Sequence, residues 1–267
     1  MNVIIQHASA LQGALTVPPD KSMCHRAVLL AAMAQGVTEI RPWPAADDCQ
    51  RTLQLVQDLS VTVRASRDAV RIEGQGGVRA PARELFCGES GTTLRLAAGL
   101  LAGQPFTSRL TAGPGLSCRP MRRIVEPLSR MGAVFGDGPD ADEIHPPLTV
   151  QGRRPLRAIR YETPVASAQV KSAILLAGLF ADGPTTVIEP VQTRHHTERM
   201  LRRFGASLRT QGREVSVEPG ALTAPGLVEL PGDASSAAFF AVQNALRKVP
   251  FSLCLRNFCN RRRLQYH

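Results

Sequence analysis

The chain repeats itself, and the repeat limits what it can become. Three runs are apolar on nearly every side: 29–36, 94–103 and 173–180, the last closed by Ala181-Asp182-Gly183. Each follows a turn rich in small residues. Helices without a polar face belong in an interior, and Gly36, Gly103 and Gly183 are each suited to the left-handed position that closes a helix.

A more polar, amphipathic helix follows each run, over 47–59, 119–131 and 194–204. Leu59, Gly132 and Gly205 then fall at matching points, 73 residues apart in both steps. Alternating stretches come next, 61–64 with 69–72 and 208–210 with 215–217, which read as antiparallel strand pairs. The unit is strand, buried helix, strand, amphipathic helix, strand, strand. So long a period exceeds the solenoid range and predicts a few units closing into one compact α/β (α+β) body. Pro231-Gly232-Asp233-Ala234-Ser235-Ser236 opens a fourth unit with the apolar helix 237–246, leaving 21 residues where earlier units use about 50 more.

The net charge of +10 raises the question of a nucleic-acid partner. Arg247, Lys248, Arg256, Arg261, Arg262 and Arg263 supply six of those charges in a tail without acids, and Trp43 is the only tryptophan. The basicity is therefore mostly the tail's, and nucleic acid is not the expected partner of the repeated body. The sequence shows no apolar run long enough to span a membrane and no secretory pattern. Cys24, Cys49, Cys87, Cys118, Cys254 and Cys259 lack Cys-x-x-Cys spacing, which predicts reduced thiols in a cytoplasmic protein.

The candidate chemistry sits where helices begin. Pro18-Pro19-Asp20-Lys21-Ser22-Met23-Cys24-His25-Arg26 delivers two cations and a hydroxyl to a helix start, where unpaired N–H groups and the macrodipole favour an anion. Cys87-Gly88-Glu89-Ser90-Gly91-Thr92-Thr93 repeats the theme, with Arg95 following; a structural turn reads equally well. Arg119 precedes Pro120, which suits the first helical position, and a cation there opposes the dipole and so points to a ligand. Arg122 and Arg123 read as solvated charges. Ser167-Ala168-Gln169 opens the third helix and reads locally as an ordinary N-cap, with Arg194 able to reach the same cleft. His195 and His196 have no third ligand for a metal at sensible spacing and read as surface residues. Asp47-Asp48 reads as a helix cap. The set suits one or two small phosphorylated or carboxylated molecules, with fixed cations stabilising charge as it moves.

Several of these segments, in order, resemble the 5-enolpyruvylshikimate-3-phosphate synthase family. They are Asp20-Lys21-Ser22 with His25-Arg26, Gly91-Thr92 with Arg95, Arg119-Pro120, Ser167-Ala168-Gln169-Val170-Lys171-Ser172, Thr193-Arg194 with His196-Thr197-Glu198, and Pro231-Gly232-Asp233 with Ser235-Ser236. The resemblance covers residues 11–246 or so. It implies an enolpyruvyl transferase-like fold of repeated βαβαββ units around buried parallel helices, three complete and a fourth partial. It further implies transfer of the enolpyruvyl group of phosphoenolpyruvate to the 5-hydroxyl of shikimate 3-phosphate, releasing phosphate, with no cofactor and no metal. Lys21, Ser22 and Arg26 are then expected to hold shikimate 3-phosphate, with Lys21 also facing phosphoenolpyruvate as clamp and proton carrier. Gly91 and Arg119 are expected to line the phosphoenolpyruvate pocket, and Ser167, Gln169 and Arg194 to meet the shikimate phosphate and ring, with Thr92 and Ala168 completing the expected substrate-binding set.

The chain departs from that family pattern at Met23-Cys24, where an aliphatic residue and serine are usual, and at Glu89, where asparagine is usual. A carboxylate beside an anion site weakens binding unless it turns away. The resemblance divides the chain into a three-unit substrate-binding domain, 15–229, and a remnant of a second domain, 1–14 plus 230–267. The acidic, lysine and arginine groups that the family draws from its second half have no counterpart here, so the expectation is a C-terminally truncated enzyme with weak turnover at most. A complementary half, or self-association through the partial unit, is the expected protein partner. A non-catalytic binding domain and a UDP-N-acetylglucosamine enolpyruvyl transferase are the alternatives.

Overall fold

The computed structural model describes residues 16–136, 144–247, 252–253 and 264–265. Contacts divide the chain into a body, Asp20–Leu230, and a second unit formed by Met1–Pro19 with Pro231–His267.

The body holds three copies of one motif. The first comprises α1 (Lys21–Met33), β1 (Ala34–Arg41), α2 (Asp47–Asp58), β2 (Thr62–Ala65) and β3 (Val70–Gln75). The second runs β4 (Leu85–Phe86), α3 (Gly91–Ala102), β5 (Thr107–Thr111), a short α4 (Pro114–Ser117), α5 (Arg122–Arg130), β6 (Val134–Gly136) and β7 (Leu148–Gln151). The third runs β8 (Arg160–Glu162), α6 (Ala168–Gly178), β9 (Thr185–Ile188), α7 (His196–Arg203), β10 (Leu208–Gln211) and β11 (Glu214–Val217). Two short strands, β12 (Leu222–Thr223) and β13 (Gly226–Glu229), complete the body.

Two sheets share one order, β4-β5-β7-β6 and β8-β9-β11-β10, each with its first pair parallel and the others antiparallel. In the first unit no strand precedes α1 among the described residues. Its place beside β1 is taken by β12 and β13, both parallel to β1, with Thr38 opposite Gly226 and Arg41 opposite Glu229. The mixed α/β fold of repeated units is thus the one the sequence predicts.

The helices α1, α3 and α6 form the core. Every residue of α1 from Met23 onward is buried, and α3 and α6 are nearly as enclosed. Each fully buried leucine among them (Leu29, Leu96, Leu175) contributes about 2 kcal/mol of apolar transfer. Each begins at a side chain that accepts a backbone N–H: Asp20 from Met23, Ser90 from Thr93 and Ser167 from Val170.

Several local expectations change. The buried helices do not close on left-handed glycines. The chain leaves α1 through Ala34 in extended geometry, with Gly36 (φ +111°) already in β1, and Gly103 sits near φ −88°. The left-handed residue instead closes each amphipathic helix: Ser60 (φ 66°), Gly132 (φ 102°) and Gly205 (φ 84°). The first match in the repeat is therefore Ser60, one residue beyond Leu59. Helix α5 starts at Arg122, so Pro120 precedes it rather than occupying its first position. Asp47 and Asp48 lie inside the first turn of α2, capped by Ala46 without a side-chain bond, and they serve Arg51 and Lys21 instead.

In the second unit, Pro19 bridges Gly232 and α8 (Ala234–Arg247) begins beyond Asp233, whose carboxylate accepts from the Ser235 N–H. Two short strands, β14 (Ser252–Leu253) and β15 (Leu264–Gln265), pair antiparallel. The remainder of the strand expected near 251–257 lies outside the described residues, as does most of the basic tail. No described helix is long and apolar enough to cross a membrane.

Candidate functional site

The N-termini of α1, α3, α6 and α7 open onto one cavity of about 520 Å³. Its lining is Ser22, Arg26, Thr92, Ser167, Ala168, Gln169, Gln192, Thr193, Arg194 and His196. Helix starts present unpaired N–H groups and the positive end of the dipole, so the wall suits an anion before any side chain is counted.

Arg26 is the buried cation of this wall. Its guanidinium donates from Nε to Thr197 Oγ1 (2.6 Å), from Nη2 to Ser172 Oγ (2.9 Å) and from Nη1 to the Ser22 carbonyl (2.8 Å). Burial pulls its pKa down to about 10, with Glu198 and Asp20 opposing that fall and Arg194 adding to it. The group stays charged at neutral pH.

On the other side, Gln169 joins two helices. Its Nε2 donates to Thr92 Oγ1 (3.0 Å) and its Oε1 accepts from Arg95 Nη1 (3.0 Å). A Cβ at Gly91 would stand 2.6 Å from that same Arg95 nitrogen, so Gly91 is the space in which Arg95 lies. Burial lowers the Arg95 pKa, and the neighbouring charges of Arg123 and then Arg119 lower it further. Positive charge thus continues from the cavity through Gln169 toward Arg95, Arg119 and Arg123. Arg123, read from sequence as a plain solvated charge, belongs to this field.

Beneath the helix starts runs a file of buried polar groups. His25 Nδ1 lies 2.7 Å from Thr52 Oγ1, which lies 2.6 Å from Thr93 Oγ1, which donates to Ser90 Oγ at 2.7 Å. Burial, above all, holds the His25 imidazole neutral, with its pKa down at about 4. The file ties α1 and α2 to the residue that caps α3.

Seven of the ten residues singled out from sequence line the cavity: Ser22, Arg26, Thr92, Ser167, Ala168, Gln169 and Arg194. Lys21, Gly91 and Arg119 do not. Lys21, expected as a clamp facing both substrates, has a side chain 48% exposed, with Nζ 3.0 Å from Asp48 Oδ2. Arg119 is exposed just beyond α4 and reaches the site through its field on Arg95. Ser167 holds both readings at once, as N-cap of α6 and as cavity wall. Glu89 turns away from the anion side, accepting from the N–H groups of Gly115 (3.2 Å) and Leu116 (2.7 Å).

Sequence reasoning missed Gln192 and misread His196. His196 opens α7 and faces the cavity, and burial, before the nearby cations Arg26 and Arg194, holds its pKa down at about 4, with Asp20 opposing. Its place two residues after Arg194, at the start of the helix, was the available signal. A metal-like grouping of His, Cys, Asp and Glu is absent among the described residues.

A family model described as EPSP synthase (3-phosphoshikimate 1-carboxyvinyltransferase) matches residues 5–252. A 3-phosphoshikimate 1-carboxyvinyltransferase of Alkalilimnicola ehrlichii is 48% identical over 245 residues, which are 91% of this chain and 54% of that protein. One from Nitrosococcus oceani is 45% identical over 251 residues, 93% of this chain and 56% of that protein. Among solved structures, an EPSP synthase from Acinetobacter baumannii superposes with a TM-score of 0.82 at 43% identity, covering 88% of this chain and 53% of that one. The chain spans about half the length of the curated relatives it matches.

Proposed function

Because the chain belongs to the EPSP synthase family, we propose that its cavity binds shikimate 3-phosphate for enolpyruvyl transfer from phosphoenolpyruvate to the 5-hydroxyl of that substrate, with release of phosphate. One observation carries this reading: four helix starts, two cations and a set of neutral donors share a single 520 Å³ space.

The division of labour follows from the geometry. Arg26 is fixed by three hydrogen bonds, so it offers a preorganised charge to a phosphate and loses little entropy on binding. Arg194 is exposed at the cavity wall and offers a second charge to the same group. Ser22, Ser167 and the Gln169 amide suit phosphate and ring oxygens. The field of Arg95, Arg119 and Arg123 beyond Gln169 suits the second anion, phosphoenolpyruvate, and fixed cations there stabilise charge as it moves. Lys21 enters as clamp and proton carrier by exchanging Asp48 for substrate. Residues 15–229 act as the substrate-binding domain, and 1–14 with 230–267 belong to a second one. A complementary half or a second copy would supply the remaining groups, in the cytoplasm.

The test is calorimetric titration of the chain with shikimate 3-phosphate, then phosphate release with both substrates. Saturable one-to-one binding that weakens at least tenfold in Arg194→Ala is expected, with slow phosphate release at most. Binding without release leaves a substrate-holding domain. A chain that does not bind shikimate 3-phosphate at all overturns the reading. The family model and relatives carry the shikimate name, so the UDP-N-acetylglucosamine alternative is not favoured.

A further inference from the structure

Behind the cavity wall lies an ion cluster that the reading above leaves unused. The Lys171 ammonium, 1% exposed, stands 2.7 Å from Glu189 Oε2 and 2.7 Å from Glu198 Oε1, both carboxylates as deeply enclosed. Lys171 belongs to α6, Glu189 follows β9, and Glu198 belongs to α7. Stability alone does not account for such a trio, since apolar residues of the same volume often serve as well or better. Glu198 Oε2 even lacks a hydrogen-bond partner among the described residues.

What the trio does is tie down a loop. Besides Lys171, Glu189 takes two bonds from Thr193: the hydroxyl donates to Oε1, and the backbone N–H donates to Oε2 at 3.4 Å. One carboxylate thereby folds residues 190–193 back onto the end of β9. Arg194 and His196, the next cavity residues, start from that fixed point. At the far end of the segment, Glu198 follows Thr197, whose hydroxyl receives Arg26 Nε. A single ammonium, two residues beyond Gln169, therefore anchors both ends of segment 189–198 to the helix that carries Ser167 and Gln169.

We propose that Glu189 is a positioning residue for the anion cavity: held by Lys171, it fixes loop 190–195 through Thr193 and so sets where Arg194 meets the ligand. The inference rests on the reading of the cavity as a shikimate 3-phosphate site. It touches no ligand itself; its effect passes through the loop.

A double-mutant cycle separates this role from a merely structural one. Shikimate 3-phosphate is titrated calorimetrically, up to millimolar concentration, against the full chain, Glu189→Gln, Arg194→Ala and the double variant. Glu189→Gln is expected to weaken binding about tenfold when Arg194 is present and less than about twofold when it is gone, because the lost positioning then has nothing to position. A structural contribution would weaken both backgrounds equally. Equal losses, or no loss, overturn the proposal. Should Glu189→Gln fail to fold, Glu189→Asp keeps the charge but shortens the reach, and it carries the same expectation through the same cycle. A natural chain that binds no shikimate 3-phosphate overturns the cavity reading and this inference together; binding indifferent to Glu189 overturns the inference alone.

Discussion

Glu89 accepts the backbone N–H of Leu116 at 2.7 Å, and that bond sets the loop between β5 and Arg119. The same carboxylate fills the space beside Gly113, where a Cβ would stand 2.3 Å from Oε1. The exposed Glu89 side chain can swing aside only by giving up its bonds to the two amides, so Gly113→Ala should cost about 1 kcal/mol. Most of that loss should disappear in the Glu89→Ala background, which alone costs about 1 kcal/mol for the unmade bonds. Urea midpoints of the four proteins measure the coupling. Additive losses would show that the loop is held by something other than Glu89.

Helices α3 and α6 meet backbone to backbone at Gly99. A Cβ there would lie 2.3 Å from the Ala173 carbonyl oxygen and 2.7 Å from its Cα. Neither atom belongs to a side chain that can rotate away, so Gly99→Ala must move a helix. A loss of about 3 kcal/mol is expected, near the top of the overpacking range. The cavity depends on the same helix pair through Thr92 and Gln169, so affinity for shikimate 3-phosphate should fall with stability. Unchanged unfolding by urea would contradict the close approach.

The neutral His25 makes stability depend on pH. Its folded pKa, about 4, lies below the ordinary 6.5, so the unfolded chain takes up a proton first. The contribution is full above about pH 6.5 and is lost as pH falls from there to about 4, a change of about 3 kcal/mol. His25→Asn keeps an amide for Thr52 and cannot titrate. The difference in unfolding free energy between natural chain and variant should therefore shrink, across that window, by about this amount. A difference that stays constant with pH would mean that folding leaves the His25 pKa where it is in the unfolded chain.

His196 should report the ligand. Its pKa sits at about 4 because the site is desolvated and crowded with cations. An anion in the cavity reverses the second cause, so binding should draw a proton onto the imidazole. Calorimetry near pH 5.5 in two buffers of different ionisation enthalpy would read the uptake, and the natural chain should take up more protons than His196→Gln. Both proteins share the titration of the phosphate, so it cancels. Equal uptake would place His196 outside the ligand's field.

Periodicity made the repeated units legible, and hydroxyls with cations at helix starts made most of the cavity legible. Both signals are local. What stayed hidden depends on partners far along the chain. Ser60 takes a left-handed conformation that glycine holds in the other two units, so composition pointed to Leu59 instead. Lys21 reads as a substrate clamp until Asp48, 27 positions on, is seen to hold its ammonium. His196 reads as a surface residue until Arg26 and Asp20 are brought beside it. Glu89 reads as a defect in an anion site until the amides of Gly115 and Leu116 claim its charge.

The parallel pairing of β1 with β13 bears on the order in which the body is made. During synthesis the second and third units can each complete a sheet from neighbouring segments, whereas the first must wait for partners that are the last strands of the body to leave the ribosome. Its sheet carries the long loop closure of the body, and long-range parallel pairing is slow. Until β13 arrives, β1 presents an open edge. The portion of the body translated earliest is thus the portion finished latest, and it is where a nascent chain would most need protection.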